Sequence, residues 1–265
     1  MQKIRVVVIS VPNSMRAEPL LSQLRESNLL EVEIFSAIMF SRSMSEYTPN
    51  YSKHKIVYGR ELSDGEIGSA ISHYKILSKN KDRGQLLVVL EDDARIGNIQ
   101  LFEEVLLNFA SISLNTCSVL TLLPWASNLK PSIKNKPATR IFSLLGEPPL
   151  TVGYVATPKA QESLCKFNTD FAYLPDWPPN NVNFYTTISG VIKHGDENTY
   201  SLIDQTGRKK GSKYYGIVRS TFMPYILNTS HFLNIKEYAG ATVLRTFTWR
   251  LDKLRLSIVK IFLSN

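Results

Sequence analysis

The sequence lacks any long hydrophobic run and is poor in cysteine. No stretch of the 265 residues approaches the roughly 18 consecutive apolar residues of a membrane-spanning helix. The two cysteines, Cys117 and Cys165, lack CxxC spacing, which argues against a disulfide framework and a cysteine-based metal site. Residues 1–10 have too short an apolar segment for a signal peptide and no small-residue cleavage site. We therefore expect a protein of the reducing cytoplasm.

Acidic residues are also few relative to basic ones. The chain has 31 lysines and arginines against 23 aspartates and glutamates, which gives a net charge of +8. This balance favours an anionic partner such as a nucleotide, a nucleic acid or a membrane surface. A hydrophobic content of 43% is enough to form the core of one large α/β domain.

The most informative stretch is an apolar run that ends in three acids. Residues 86–90 are all leucine or valine, which predicts a strand buried on both faces, and Glu91, Asp92 and Asp93 follow directly. Two like charges 4 Å apart repel by roughly 4 kcal/mol at an effective dielectric of about 20. Carboxylates placed so close are expected to share a proton or to bind a cation, and Mn²⁺ or Mg²⁺ suits oxygen ligands. The alternative is a solvated acidic turn.

The first forty residues predict a βαβ unit. Ile4–Ile9 is rich in β-branched residues and predicts a buried strand, and residues 31–37 predict the next one. Between them, Asn13 or Ser14 can cap a helix that runs to about Ser27. This order predicts a parallel sheet with covering helices. Arg16 would fall in the first turn of the helix, where a cation opposes the helix dipole, so it is a candidate to face a phosphate or simply to be solvated.

A second helix is predicted to begin at a capping box. Ser63 is followed three residues later by Glu66, and apolar residues then recur at helical spacing. Ser69, Ser72 and His73 share another side of this helix. Because the helix leads directly into the acidic strand, His73 is expected near the acids. A buried structural histidine is the alternative.

The rest of the chain predicts further elements of an α/β domain. We expect a loop over residues 40–55, a helix over 101–109, strands over 118–123 and 150–156, and a helix from Pro158 to about Lys166. Asp176 stands in a proline-rich aromatic turn over residues 173–179, as a candidate functional carboxylate or a structural turn residue.

Residues 236–265 predict a separate basic amphipathic helix after a domain spanning 1–235. One apolar stripe runs along the segment, and five basic residues lie off it: Arg245, Arg250, Lys253, Arg255 and Lys260. Such a helix is typical of an interfacial membrane anchor. It could instead dock on its own domain or on a dimer partner.

Taken together, these motifs resemble glycosyltransferase family 25, the lipooligosaccharide-type galactosyltransferases of bacterial envelopes. The resemblance runs from the first strand with Arg16 through residues 35–37 and the segment 66–73. It is strongest at residues 89–93, and it continues through 154–160 to Asp176 and Trp177.

The resemblance implies a GT-A-like, Rossmann-type fold and an inverting transfer from a nucleotide sugar. On this basis Asp93 and Asp92 would bind Mn²⁺ or Mg²⁺. Asp176 would be the catalytic base, and His73 is the alternative candidate for that role. The nucleotide-sugar contacts would come from eight residues: Ser10, Asn13, Arg16, Ala37, Ser69, Ser72, Glu91 and Asp92.

We therefore expect a hexosyltransferase that moves galactose from UDP-galactose to a lipid-linked oligosaccharide of lipooligosaccharide or lipopolysaccharide. It would lie on the inner face of the cytoplasmic membrane, held to the anionic surface by its C-terminal helix, and it would not bind nucleic acid. The alternatives are a metal-dependent nucleotidyltransferase and a non-catalytic basic protein that binds membranes or nucleic acid.

Overall fold

The computed structural model describes residues 3–58, 60–123, 141–144, 152–175, 182–187 and 191–195. These residues fall into two units. The first lies within 1–50 and 63–208, and the second is described over 51–62 without residue 59. Asp176 and the predicted helix over 236–265 lie outside the described residues, so the division of the chain after residue 235 stays a prediction.

The first unit alternates strands and helices in the predicted manner. Its elements are β1 Ile4–Ser10, α1 Glu18–Arg25, β2 Leu30–Ser36, α3 Asp64–Asn80, β3 Leu87–Glu91, β4 Ala94–Ile96, α4 Ile99–Ser113, β5 Ser118–Thr121, β6 Ile141–Ser143, β7 Gly153–Ala156, α5 Pro158–Phe167, β8 Asn183–Thr187 and β9 Ile192–His194. The second unit contributes α2, Tyr51–Tyr58. None of the helices among the described residues has the length and apolarity that crossing a bilayer requires.

Seven strands form one sheet in the order β2-β1-β3-β7-β5-β8-β6. β1 is parallel to both β2 and β3, and β5 is parallel to β8. β7 runs antiparallel to β3 and β5, and β6 runs antiparallel to β8. The sheet is therefore mixed but mostly parallel in strand direction. The predicted α/β class and the βαβ opening are confirmed.

Helices cover both faces of this sheet, as expected for strands without a polar face. Val88 and Leu90 of β3 pack with residues of α1 and α4, while Leu87 and Val89 pack with residues of α3 and α5. All four side chains are buried. The apolar run ahead of the acids is thus the centre of the sheet, and it fixes where the acids stand.

The order of the strands places those acids where a ligand crevice is expected. From β1 the chain moves to β2 on one side, and it later returns to place β3 on the other side of β1. In open α/β sheets, ligands bind outside the carboxyl ends of the strands where the order reverses in this way. Ser10 ends β1 and Glu91 ends β3, so both residues border that crevice.

Two predicted elements differ from the structure. α1 begins at Glu18, with Ala17 as its cap, and Asn13 lies before it at a φ of 60°. A left-handed Asn13 turns the chain away from helical geometry, so the helix starts later and Arg16 precedes it instead of lying in its first turn. The predicted loop over 40–55 contains the start of α2.

Other local predictions are confirmed. Ser63 caps α3 with the expected capping box to Glu66, and α5 begins at Pro158 as predicted, where the Thr157 hydroxyl accepts a hydrogen bond from the backbone N–H of Ala160. α4 is longer than the predicted 101–109 because Asn98 caps it earlier.

Candidate functional site

Two carboxylates face one arginine at the end of the central strand. Asp92 and Asp93 lie between β3 and β4, with side chains only 9% and 14% exposed. Nη2 of Arg16 is 3.6 Å from Oδ1 of Asp92 and 3.4 Å from Oδ2 of Asp93. The sequence left open whether Arg16 faces a phosphate or is solvated; in this structure it contacts the acids, and its contact with a nucleotide sugar stays a prediction. It reaches them from the turn between β1 and α1, because the helix begins after it.

Burial dominates the electrostatics of this acid pair. Loss of hydration raises the pKa of both carboxyl groups above the usual range, and the Arg16 guanidinium opposes this rise without cancelling it. The neighbouring Glu91 raises both pKa values further, whereas the backbone N–H of Val11 lowers that of Asp92 by hydrogen bonding. Ionising both aspartates at neutral pH therefore costs free energy that a cation could recover.

The acid pair also has unused coordination capacity. Among the described residues, Oδ2 of Asp92 and Oδ1 of Asp93 are buried without a hydrogen-bond partner. Within the same ranges no three His, Cys, Asp or Glu side chains form a set that could hold a metal ion by themselves. Mg²⁺ typically binds through one or two carboxylates plus substrate phosphates and water, so a two-carboxylate site fits a cation that arrives with a phosphorylated ligand.

His194 also belongs to this site, although no motif in the sequence indicates it. Its Nε2 lies 3.6 Å from Oδ2 of Asp93, since β9 pairs with β4 and places His194 opposite Ala94. The backbone N–H of Gly195 donates to the carbonyl of Asp93 at 2.6 Å, and a side chain at Gly195 would collide with that carbonyl. The short strand carries no periodic signal, so only the fold reveals this neighbour.

A buried histidine–tyrosine pair lies behind the third acid. Nδ1 of His73, on α3, is 3.1 Å from the hydroxyl of Tyr154 on β7, and the two rings stack with centroids 5.6 Å apart. Nε2 of His73 is 3.8 Å from Oε1 of Glu91. The His73 side chain is 4% exposed and that of Glu91 is 32% exposed. The prediction that His73 lies near the acids is confirmed by these distances.

The Ser72 side chain forms hydrogen bonds with two backbone groups near the same edge of the sheet. Its hydroxyl donates to the carbonyl of Gly68 at 2.7 Å and accepts from the N–H of Ile38 at 2.8 Å. The N–H of Ala37 in turn donates to the carbonyl of Ser10 at 2.8 Å. Ser10, Ala37 and Ser72 are therefore linked at the carboxyl ends of β1 and β2, and their predicted contact with a nucleotide sugar stays a prediction.

The remaining predicted residues are less informative. Asn13 is exposed in the turn after β1, and Ser69 is half-buried on α3. No contact in the described structure assigns either one to the acid pair. Asp176, the predicted base, lies outside the described residues.

The raised pKa of Asp92 predicts that its ionisation lowers the free energy of unfolding. Because the folded-state pKa of Asp92 exceeds its unfolded value near 3.8, the native state holds more protons than the unfolded chain in the window just above that value. The free energy of unfolding then falls as pH rises from the unfolded value through the raised pKa.

Asp92→Asn should therefore raise the free energy of unfolding at pH 7. We expect an increase of about 1 kcal/mol, which is common when a functional group that costs stability is replaced. This difference in stability should shrink near pH 4. Mn²⁺ should also stabilise the variant less than it stabilises the wild type. Urea unfolding at both pH values, with and without Mn²⁺, measures this. A variant less stable than the wild type at pH 7 would contradict the argument.

Comparisons with known proteins agree with the sequence resemblance. The family model described as glycosyltransferase family 25 (LPS biosynthesis protein) matches residues 3–177, well over half of the chain. No curated protein matches the chain.

Three solved structures are similar in part. A197 from STIV is 14% identical and covers 76% of this chain and 98% of its own, with a TM-score of 0.34. Mannose-1-phosphate geranyltransferase from Thermus thermophilus is 10% identical and covers 71% of this chain and 74% of its own, at 0.35. 4-diphosphocytidyl-2C-methyl-D-erythritol synthase is 7% identical and covers 78% of this chain and 99% of its own, at 0.35. Values this low say nothing about what the present chain binds.

The matched region 3–177 contains the central strand, the acid pair, Arg16, His73 and Tyr154. The resemblance read from residues 89–93 and 66–73 is therefore confirmed. The chain belongs to glycosyltransferase family 25.

Proposed function

We propose that this glycosyltransferase moves a hexose, galactose in the first instance, from a UDP-sugar to a lipooligosaccharide or lipopolysaccharide acceptor. Family membership supports a glycosyltransferase of lipopolysaccharide biosynthesis. One observation supports a UDP-sugar as the donor. Two buried carboxylates, each with an oxygen that has no hydrogen-bond partner among the described residues, lie where the strand order reverses. A nucleoside diphosphate with a divalent cation matches the charge and the oxygen preference of that place.

The acid pair is the proposed cation site. Asp93 and Asp92 would hold Mn²⁺ or Mg²⁺, with phosphate oxygens completing its coordination. When bound, the cation would stabilise the negative charge that develops on the leaving UDP. Arg16, which touches both carboxylates, holds them in place and adds positive charge beside the diphosphate.

The acceptor chemistry needs a base. An inverting transfer requires a group that removes the proton of the acceptor hydroxyl as it attacks the anomeric carbon. His73 is buried beneath Tyr154, so an acceptor hydroxyl would not reach it without movement of the core. We propose for this role Asp176, the carboxylate that the family resemblance implies, which lies within the matched region 3–177.

Donor hydrolysis tests the proposal without a known acceptor. Incubating the full-length protein with UDP-galactose and Mn²⁺ should release free UDP slowly, and EDTA should abolish the release. Pyrophosphate as the product would instead indicate a nucleotidyltransferase. If no UDP compound raised the melting temperature in the presence of Mn²⁺, the non-catalytic alternative would be favoured.

We also propose that residues 236–265 hold the protein on the cytoplasmic face of the inner membrane. Each basic residue near an anionic leaflet adds about 1 kcal/mol, so the five within residues 241–265 should dominate binding. Deleting residues 241–265 should lower partitioning onto vesicles with 30% phosphatidylserine by roughly 100-fold or more. Vesicles of phosphatidylcholine alone are the control, and unchanged partitioning of the truncated protein would refute the anchor.

A further inference from the structure

We propose that Tyr154 and His73 form a buried hydrogen-bonded relay that positions the Glu91 carboxylate to accept hydrogen bonds from the ribose hydroxyls of the donor. The inference rests on the proposed function, because it takes a nucleoside diphosphate as the ligand of the crevice. Tyr154 and His73 would act through Glu91 and would not touch the ligand.

The relay connects three elements of the first unit. Tyr154 lies on β7, His73 on α3 and Glu91 at the end of β3. The tyrosine hydroxyl and Nδ1 of His73 are 3.1 Å apart, within hydrogen-bonding distance, and the stacked rings fix the imidazole plane. Nε2 of His73 then points towards Oε1 of Glu91 at 3.8 Å. Hydrogen bonds of a functional site are often this long before the ligand binds and shorten afterwards.

The direction of the hydrogen bonds follows from charge. Burial raises the pKa of Tyr154 far above its usual value, so its hydroxyl stays protonated and can donate to Nδ1. The imidazole proton is then on Nε2 and faces the carboxylate. The opposite tautomer would place the Nε2 lone pair against the negative charge of Glu91, which is unfavourable where water is excluded.

This pattern differs from that of a histidine that serves only packing. A buried polar atom in a core normally has a hydrogen-bond partner. Among the described residues, Nε2 of His73 has none within hydrogen-bonding distance. The unsatisfied N–H aims at the most exposed of the three acids, which opposes Ile9 in the β1–β3 register and so borders the crevice.

Glu91 suits a diol better than a cation. Nε2 of His73 lies behind it at 3.8 Å, and Glu91 comes one residue before the acid pair, so we assign it to the part of the ligand next to the diphosphate. In a nucleoside diphosphate that part is the ribose. A carboxylate at a strand end that accepts from the ribose hydroxyls is a recurrent solution in nucleotide-binding sheets.

The test compares two ligands that differ only in those hydroxyls. Isothermal titration in Mn²⁺ should show that the wild type binds UDP about 10 to 100 times more tightly than 2′,3′-dideoxy-UDP, as expected for hydrogen bonds to a charged group. His73→Leu should remove most of this preference by weakening UDP while leaving the dideoxy ligand nearly unchanged. Tyr154→Phe, which removes only the hydroxyl, should give a smaller change in the same direction.

Matched variants separate positioning from stability. Asn80 is buried on the same helix, and its amide donates to the carbonyl of Ile76 within that helix, so Asn80→Ala should lower stability yet keep the preference for UDP. His73→Gln retains an N–H donor and should restore part of the preference. In steady-state hydrolysis, His73→Leu should raise KM for UDP-galactose with little change in kcat.

The outcomes distinguish this inference from the function on which it rests. A His73→Leu protein that kept the full preference for UDP would overturn the relay while leaving the donor class intact. A wild type that bound UDP and 2′,3′-dideoxy-UDP equally would also overturn the relay and leave the donor class intact. A wild type that bound neither would overturn the donor class and the relay together.

Discussion

The Asp93→Asn protein should release UDP from UDP-galactose about 1,000-fold more slowly than the wild type, the size of loss typical when a preorganised charge at a reacting centre is removed. The substitution keeps the size of the side chain and removes the charge that would hold a divalent cation. We choose Asp93 over Asp92 because His194 lies 3.6 Å from Asp93, whereas a buried unpartnered oxygen and the contact with Arg16 are common to both aspartates. The reduction should appear in kcat, since the cation acts most strongly on charge that develops during bond cleavage.

Activity must be separated from folding in this experiment. Since burial raises the pKa of Asp93, removing its charge should not destabilise the protein, and the melting temperature should equal or exceed that of the wild type. A variant that is inactive but more stable is hard to explain by misfolding.

The matched control is Asp82→Asn, the same change at an exposed position in the turn Lys81–Arg83 before β3. It lies at the opposite end of β3 from the acid pair and should leave the rate unchanged. Normal activity of Asp93→Asn with a normal dependence on Mn²⁺ would refute the cation site.

Local sequence signals account for the parts of the fold that were predicted. The apolar run of β3, the capping box at Ser63 and the proline that opens α5 are each specified within a few residues, and each is present in the structure. The acid pair follows from the first of these, because the end of a central parallel strand is a defined place in the fold. Its location could therefore be predicted without coordinates.

The neighbours of the acid pair could not be predicted in the same way. His194 reaches Asp93 through β9, a strand of three residues that is distant in sequence from its partner β4. Tyr154 meets His73 because β7 enters the sheet antiparallel beside β3, an arrangement that the helical spacing around His73 does not encode. Arg16 contacts acids because one left-handed residue, Asn13, delays the helix. Each depends on contacts between segments that no local pattern specifies.

Gly68→Ala should destabilise the protein by roughly 3 kcal/mol, although the same change in most helix interiors stabilises by up to about 1 kcal/mol. A Cβ at residue 68 would collide with the backbone carbonyl of Ile38, and a backbone atom cannot move aside as the end of a side chain can. Ser72, one turn later, bonds the N–H of the same residue, so helix α3 and the segment after β2 are held at close range by two contacts.

The effect should reach the site as well as the stability. If the segment after β2 retreats to admit the methyl group, Ala37 loses its hydrogen bond to Ser10, and the border of the crevice shifts. We therefore expect weaker UDP binding in the fraction that folds. Urea unfolding measures the first effect and titration calorimetry the second.

Ser78→Ala, at a half-buried position near the end of the same helix, provides the comparison and should leave stability within about 0.5 kcal/mol of the wild type. A stabilised Gly68→Ala protein would show that α3 and the segment after β2 do not approach so closely. Loss of stability with unchanged UDP affinity would show instead that the close contact serves the fold alone, because the position of Ala37 would then not matter to the ligand.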